Sequence, residues 1–415
     1  MHEQADKQAS ERLARTGIPR PEFIAIVAGL MALNALAIDI LLPAFPNISA
    51  AYGIDGNEVQ YLLLSYILGF GAAQLFFGPI SDRFGRRRPM FIGLAIYIAC
   101  AMAGSFAPTF EMVLVFRFLQ GIGAASTRVI AFALVRDTHS GRTMASTMSL
   151  VMMVFMVVPI IAPFFGQGIV LIGPWQHIFW FMALLAAVMT VWSGLRLPET
   201  LDPANRRSLG LEPVFSGFRF VLSNRISLFY TLATAFFFGS LFAFLNLAQP
   251  ILGEVYGLHA HFPLAMAIGA SVMALASLLN SRIVGRIGMR RLSHGALLAH
   301  LFISIAASIW FSTHESPPLW LFMSVLILIM PLFGLIGANF NAIAMEPLGK
   351  VAGTASSVLG FTQTVGGGLC GAAIGQSFNG TPLPLIAGGA LTSFITLVLV
   401  LIAEKGRLFD NPGAR

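Results

Sequence analysis

The stretch Gly78–Pro89, GPISDRFGRRRP, sets four arginines and one aspartate between two long apolar runs. A second stretch, Ser281–Leu292, SRIVGRIGMRRL, repeats its cation spacing. Aligning Gly85 with Gly288 also superposes Arg83 on Arg286, Arg87 on Arg290 and Arg88 on Arg291. The offset is about half the chain, which reads as two duplicated halves, the architecture of a carrier with parallel repeats.

The apolar runs on either side decide the environment. Of 415 residues, 57% are hydrophobic and 10% charged, against about 25% charged in a soluble domain. Mean hydropathy is +0.81. No soluble core of this length could hide so much apolar surface. A bilayer-spanning helix needs about 20 apolar residues, and twelve such runs are expected. The first six lie near 22–46, 58–80, 89–107, 111–134, 145–171 and 175–197; the second six lie near 222–249, 262–284, 292–313, 318–344, 353–377 and 383–404. The fold class is an all-α membrane protein with twelve transmembrane helices in two pseudo-symmetric six-helix bundles, 22–197 and 222–404. Between them 198–221 reads as a hydrophilic linker, and 1–21 and 405–415 read as polar tails. The first 20 residues lack an apolar signal core, so no cleavable signal is expected. Cys100 and Cys370 both lie in apolar runs and read as small core residues.

Charge supplies the orientation. Arg117 and Arg128 fall within the fourth run; the other 23 of 25 lysines and arginines lie in the tails or in the even-numbered hairpins. The odd-numbered loops hold none. Cationic residues resist translocation, so both termini are expected in the cytoplasm. The formal charge of +7 is then a topology signal, and nucleic acid is excluded as a partner.

The motifs resemble one family along the whole chain. GPISDRFGRRRP resembles the signature loop of the major facilitator superfamily, and LVFRFLQGIGAA (114–125) resembles its fourth-helix motif, with Arg117 at the arginine. IDILLPAFPNI (38–48) resembles the first-helix motif of twelve-span drug:proton antiporters. WQHIFWFMALLA (175–186), LPETLDPANRR (197–207) and VAGTASSVLG (351–360) resemble the bicyclomycin/chloramphenicol-resistance (Bcr/CflA) type. The sequence departs from the pattern in three places: Ala162 and Gln167 stand where the fifth-helix antiporter motif has glycines, the region of Met31 and Asn34 lacks the second first-helix acid of some relatives, and Gly285 stands where the first half has Asp82. The resemblance implies a multi-pass protein of the bacterial inner membrane, a monomer, that exports amphipathic drug-like compounds such as phenicols in exchange for protons.

Asp39 is the lone acid of the first apolar run. A carboxylate at the bilayer midplane costs about 2.5–3.5 kcal/mol on insertion scales, so its presence needs a role, either proton or substrate binding or a structural contact. From Glu22 it lies about 25 Å along the helix, and Arg117 lies about 9 Å below the opposite start at Glu111. Similar depth suggests a proton-coupling pair, Asp39 and Arg117. Alternatively, Arg117 pins helices one and four through backbone carbonyls. Arg128 is three turns beyond Arg117, within about 20° of the same face. It is expected in a vestibule, touching substrate or Glu346, or snorkelling to the headgroups.

Isolated polar groups in apolar helices give the candidate substrate contacts: Asn34, Tyr61, Tyr66, Gln74, Arg128, Asn246, Gln249, Asn339, Asn341 and Gln363. The signature loop supplies a conformational latch from Gly78, Asp82, Arg83, Gly85 and Arg86, with Glu346 as a cytoplasmic gate or helix-end partner. The resemblance implies that this latch stabilises an outward-facing state. The eight histidines show no metal spacing. No phosphate-binding loop or nucleophile motif is present, so neither cofactor, metal nor enzymatic activity is expected, and energy must come from an ion gradient. The alternative on the same scaffold is a proton-coupled importer or exporter of a small metabolite.

Overall fold

The computed structural model describes residues 17–139, 141–201, 206, 212–314 and 317–410. Among these residues all regular structure is helical. Twelve helices are long and apolar enough to cross a membrane. The physical reason is the solvent: a bilayer offers no water to backbone N–H and C=O groups, so each span must satisfy them internally. The outer faces carry exposed apolar side chains such as Leu184, Phe302 and Trp320, as lipid contact demands.

In chain order the helices are α1 (Arg20–Asp39), α2 (Phe45–Tyr52), α3 (Tyr61–Phe84), α4 (Arg87–Ser105), α5 (Phe110–Thr138), α6 (Gly141–Ile172), α7 (Gln176–Arg196), α8 (Glu212–Ser223), α9 (Arg225–Gln249), α10 (Phe262–Ile287), α11 (Met289–Ser312), α12 (Leu319–Met345), α13 (Ala352–Phe361), α14 (Gly367–Gln376) and α15 (Leu383–Ala403).

The chain divides into two compact units. The first comprises Met1–Ala44 and Ser65–Pro213, the second Phe45–Leu64 and Val214–Arg415. Within the first, α1 packs against α5, α6 and α7, and α4 against α5 and α7. Within the second, α9 packs against α12, α14 and α15, and α11 against α12 and α15. The two sets correspond pair for pair, as a duplicated six-helix plan requires.

Three spans are interrupted. The first span breaks after Asp39 into a short 3-10 turn, Leu42–Ala44, before α2. Pro43 has no N–H to donate to the Asp39 carbonyl, so the break follows from sequence. The seventh ends in a π turn, Pro250–Val255, and the eleventh contains another, Thr362–Gly366. The interval 198–221 is not a simple linker. Its C-terminal part begins helix α8, in which Val221 is buried while Phe215 and Leu222 are exposed. Averaged hydrophilicity hid this helix, because its apolar residues sit at helical spacing among polar ones.

Candidate functional site

Asp39 closes α1 and is only 3% exposed. Among the described residues its carboxylate has no hydrogen-bond or ion-pair partner. Gly166 of α6 lies directly on the break: a side chain there would strike the Ile40 carbonyl oxygen and sit 3.3 Å from Pro43 Cγ. The antiporter-like segment of the fifth span therefore packs onto the discontinuity beside Asp39.

Arg117 is fully buried. Its Nη2 donates to the Ala37 carbonyl at 2.9 Å, and its Nη1 donates to Gln120 Oε1 at 2.8 Å. The last four carbonyls of a helix lack intrahelical donors, and Ala37 lies in that last turn. Arg117 thus caps the broken end of α1 and pins the first span to the fourth. The hydrogen bond from Arg117 to the first span is thus the backbone pin given above as the alternative, and Asp39 makes no ion pair among the described residues. The physical reason is local, since the freed carbonyl two residues earlier takes the guanidinium.

The same cation stacks on the Tyr66 ring, 4.3 Å from its centroid. Tyr66 donates its hydroxyl to Asn34 Oδ1 at 2.9 Å, so three of the sequence candidates form one buried cluster. Arg128, on the same face of α5, lies 5.7 Å from the Phe70 centroid. Tyr66 and Phe70 are parallel rings one turn apart on α3, with centroids 6.2 Å apart. Gly121 of α5 faces Tyr66 O and Phe70 N, so Arg128, two turns beyond it, reaches back toward Phe70. Gln74 is buried on the same helix.

At the other end of α3, the signature loop organises around Arg86, not around the whole charge run. Arg86 is 2% exposed. It pairs with Asp82 Oδ1 at 2.6 Å and with Asp137 Oδ2 at 2.7 Å, and donates to Ser81 Oγ at 2.8 Å. Burial opposes its charge. Hydrogen bonding and attraction from Asp137, then Asp82, outweigh that and hold the guanidinium above its usual value. Glu199 accepts from the backbone N–H of Arg86 and Arg87, and Arg87 caps the end of α7 through Gly194 O and Leu197 O. Gly85 has φ +89°, and a side chain there would collide with Glu199 Oε2; only glycine serves both needs. At Gly78, by contrast, open space surrounds the Cβ position among the described residues. Arg83 is exposed and makes no ion pair there.

In the second unit, Glu346 pairs with Arg290 at 3.2 Å, and Arg290 also holds Glu404 at 2.7 Å. Tyr230 donates to the same Glu404 oxygen, and His294 Nε2 meets the Tyr230 hydroxyl at 2.7 Å. Asn339 donates to Asn280 Oδ1 at 2.7 Å, a partner that sequence reasoning missed although Asn280 interrupts an apolar run. Asn246 is buried with Oδ1 unpartnered, Gln249 is buried, and Asn341 is half-buried. Gln363 sits within the π turn, half-buried, where helices often carry function. Tyr61 is exposed at the start of α3. Gln60, fully buried with Oε1 unpartnered beside Gly375, was not foreseen.

Twelve apolar spans in two repeated units, with isolated buried polar groups and a charged loop after the second span, define a polytopic membrane carrier. Residues 27–371 match the Major Facilitator Superfamily, and the chain belongs to that superfamily. It is 28% identical over 377 residues to the bicyclomycin resistance protein homolog of Haemophilus influenzae, covering 88% of this chain and 91% of that protein. It is 30% identical over 390 residues to the multidrug resistance protein MdtL of Shigella dysenteriae serotype 1, covering 93% and 96%. Among solved structures, a bacterial homolog of the human lysosomal transporter Spinster, in an inward-facing and occupied conformation, matches with a TM-score of 0.68 at 15% identity, covering 92% of this chain and 96% of that one. The protein is a non-enzymatic, multi-pass transporter of small molecules in the bacterial inner membrane.

Proposed function

We propose that the protein exports amphipathic, drug-like compounds, phenicols among them, from the cytoplasm in exchange for protons, by alternating access with both termini cytoplasmic. The observation that carries this reading is Asp39, buried at the break of the first span without a partner. An ionised carboxylate in such a place lacks both solvent and counter-ion, and binding a proton removes that cost. The proton-bound acid and the charged acid therefore favour different surroundings, which is what coupling to a conformational change requires. Arg117 keeps the break in shape by capping Ala37, and its ring contact joins it to Tyr66 and Asn34.

The names of the relatives support drug export, and the confinement of cations to the tails and even-numbered hairpins supports the orientation. Asn34, Tyr66, Gln74 and Arg128 in the first unit, and Asn246, Gln249, Asn339, Asn341 and Gln363 in the second, are the proposed substrate contacts, with Tyr61 at the outer end. Asp82, Arg86 and Glu346 act in the conformational latch. The test uses proteoliposomes that report internal pH. Drug supplied inside should draw protons inward in the wild type, and Asp39→Asn should abolish that flux while still binding drug. Uphill export at wild-type rate by Asp39→Asn would show that another group carries the proton, and outward proton movement with drug would indicate symport.

A further inference from the structure

Inside the second unit a cavity of about 10 Å³ is lined by Ser240, Phe244, His300, Ser304, Phe333 and Gly389, among others. That volume is close to the least that holds one water molecule. His300 of α11 is fully buried, and its Nε2 has no hydrogen-bond partner. Phe237 and Phe333 box the ring edge-on, with centroids 5.1 and 5.3 Å away.

The ring's protonation pattern follows from its neighbours. Ser393 Oγ of α15 lies 2.7 Å from His300 Nδ1, and Ser304 Oγ lies at 3.4 Å. Neither the Ser393 nor the Ser304 hydroxyl has another partner among the described residues, so an accepting Nδ1 strands fewer donors than a protonated one, and the tautomer assigned is the one in which Ser393 donates to Nδ1. The imidazole proton then sits on Nε2, a buried donor with nothing to receive it. Such a donor is rarely left unsatisfied. Ser240 Oγ of α9 also makes no hydrogen bond among the described residues. Gly389 supplies the room: a Cβ there would lie 3.1 Å from Ser240 Oγ and 3.7 Å from both His300 Cε1 and Ser304 Oγ.

We propose that this cavity is a binding site for one water molecule, which accepts from His300 Nε2–H and donates to Ser240 Oγ. The chain Ser393, His300, water, Ser240 then joins α15, α11 and α9 by hydrogen bonds that no protein group supplies alone. The missing side chain of Gly389 is what admits the water. The site is independent of Asp39 and of the transport reading.

The test is nuclear magnetic resonance of the full-length protein in lipid bilayers, labelled with ¹⁵N-histidine, with His300 identified by loss of its signal in His300→Gln. Magnetisation from water should reach the His300 Nε2 proton in the wild type, and Gly389→Ala should abolish the transfer. Thermal unfolding gives a second reading with opposite signs for a filled and an empty cavity. Gly389→Ala should lower the unfolding temperature by several degrees, because its methyl displaces water and strands Nε2–H. Gly389→Ser should stay close to wild type, its hydroxyl standing in for the water. The double variant Ser240→Ala/Gly389→Ala removes the tight 3.1 Å contact and should remain destabilised. No water transfer in the wild type, a stabilised Gly389→Ala, or rescue by the double variant would each overturn the proposal.

Discussion

Arg86→Ala is the most informative perturbation of the latch loop. It leaves Asp82 and Asp137, which grip one guanidinium at 2.6 and 2.7 Å, facing each other with no cation between them. Removing one partner of a buried ion pair costs about 3–5 kcal/mol. The Asp82 and Asp137 side chains are 28% and 13% exposed, so water recovers part of the loss, and about 3 kcal/mol is expected. For a unit of this size that is a fall of about 6–12 °C in unfolding temperature, readable on detergent-purified protein. Much of the loss is repulsion between the stranded carboxylates, so Arg86→Ala/Asp137→Asn should be more stable than Arg86→Ala alone, a non-additivity typical of contacting residues. Arg86→Lys should fall between, since an ammonium cannot fork to both acids. A double variant no better than the single one, or an Arg86→Ala loss within about 0.5 kcal/mol as for an ordinary surface change, would refute a charge-held hub.

Two further outcomes follow from the first unit. Gly121→Ala drives a methyl into Tyr66 O and toward Phe70 N, so it should lose about 1–3 kcal/mol by overpacking α3 against α5; Gly168→Ala, with open space around it, should be neutral in the same thermal assay. His139, just beyond α5, is buried with Nε2 unpartnered. Burial first, and the charge of Arg20 second, hold its pKa below the usual histidine value. The unfolded chain therefore takes up the proton first, so stability present above about pH 6.5 is lost as pH falls through the native value. His139→Gln should flatten that acid slope below about pH 6.5. An unchanged slope would assign it to other groups.

The sequence made the twelve spans legible because each is long, apolar and bounded by cations. It made the duplication legible because Arg83, Arg87 and Arg88 recur at one offset. It also made Asp39 and Arg117 stand out, since charges are rare in such runs. What it could not show was which acceptor Arg117 would choose. Depth along two helices puts Arg117 and Asp39 at similar levels, but a break after Asp39 frees carbonyls, and the guanidinium went to Ala37. Pro43 announced the break; the competition between a carboxylate and a carbonyl for one cation is a matter of side-chain direction, which spacing does not encode. Likewise nothing in the sequence sets Asp137, Glu199 and Glu404 apart from ordinary loop acids, because their partners lie far away along the chain.

Those acids explain why the two halves share a cation pattern without sharing a hub. In the first unit the work is divided. Arg86 ties the end of α5 through Asp137, while Arg87 caps the end of α7 through Gly194 O and Leu197 O. In the second unit Arg290, which aligns with Arg87, does both, holding Glu346 after α12 and Glu404 after α15. The position aligned with Arg86 is Met289, and the one aligned with Asp82 is Gly285, so the second loop lacks both the arginine and the acid that form the first loop's hub. In the first unit the two ends meet in one cluster, since Thr200, just after α7, donates to Asp137 and Glu199 accepts from the Arg86 N–H, but two arginines hold them. In the second unit the ends of the tenth and twelfth spans are coupled through one side chain. A duplicated loop has thus become two different mechanical joints, and the asymmetry lies in which neighbours each arginine reaches, not in how many cations each loop carries.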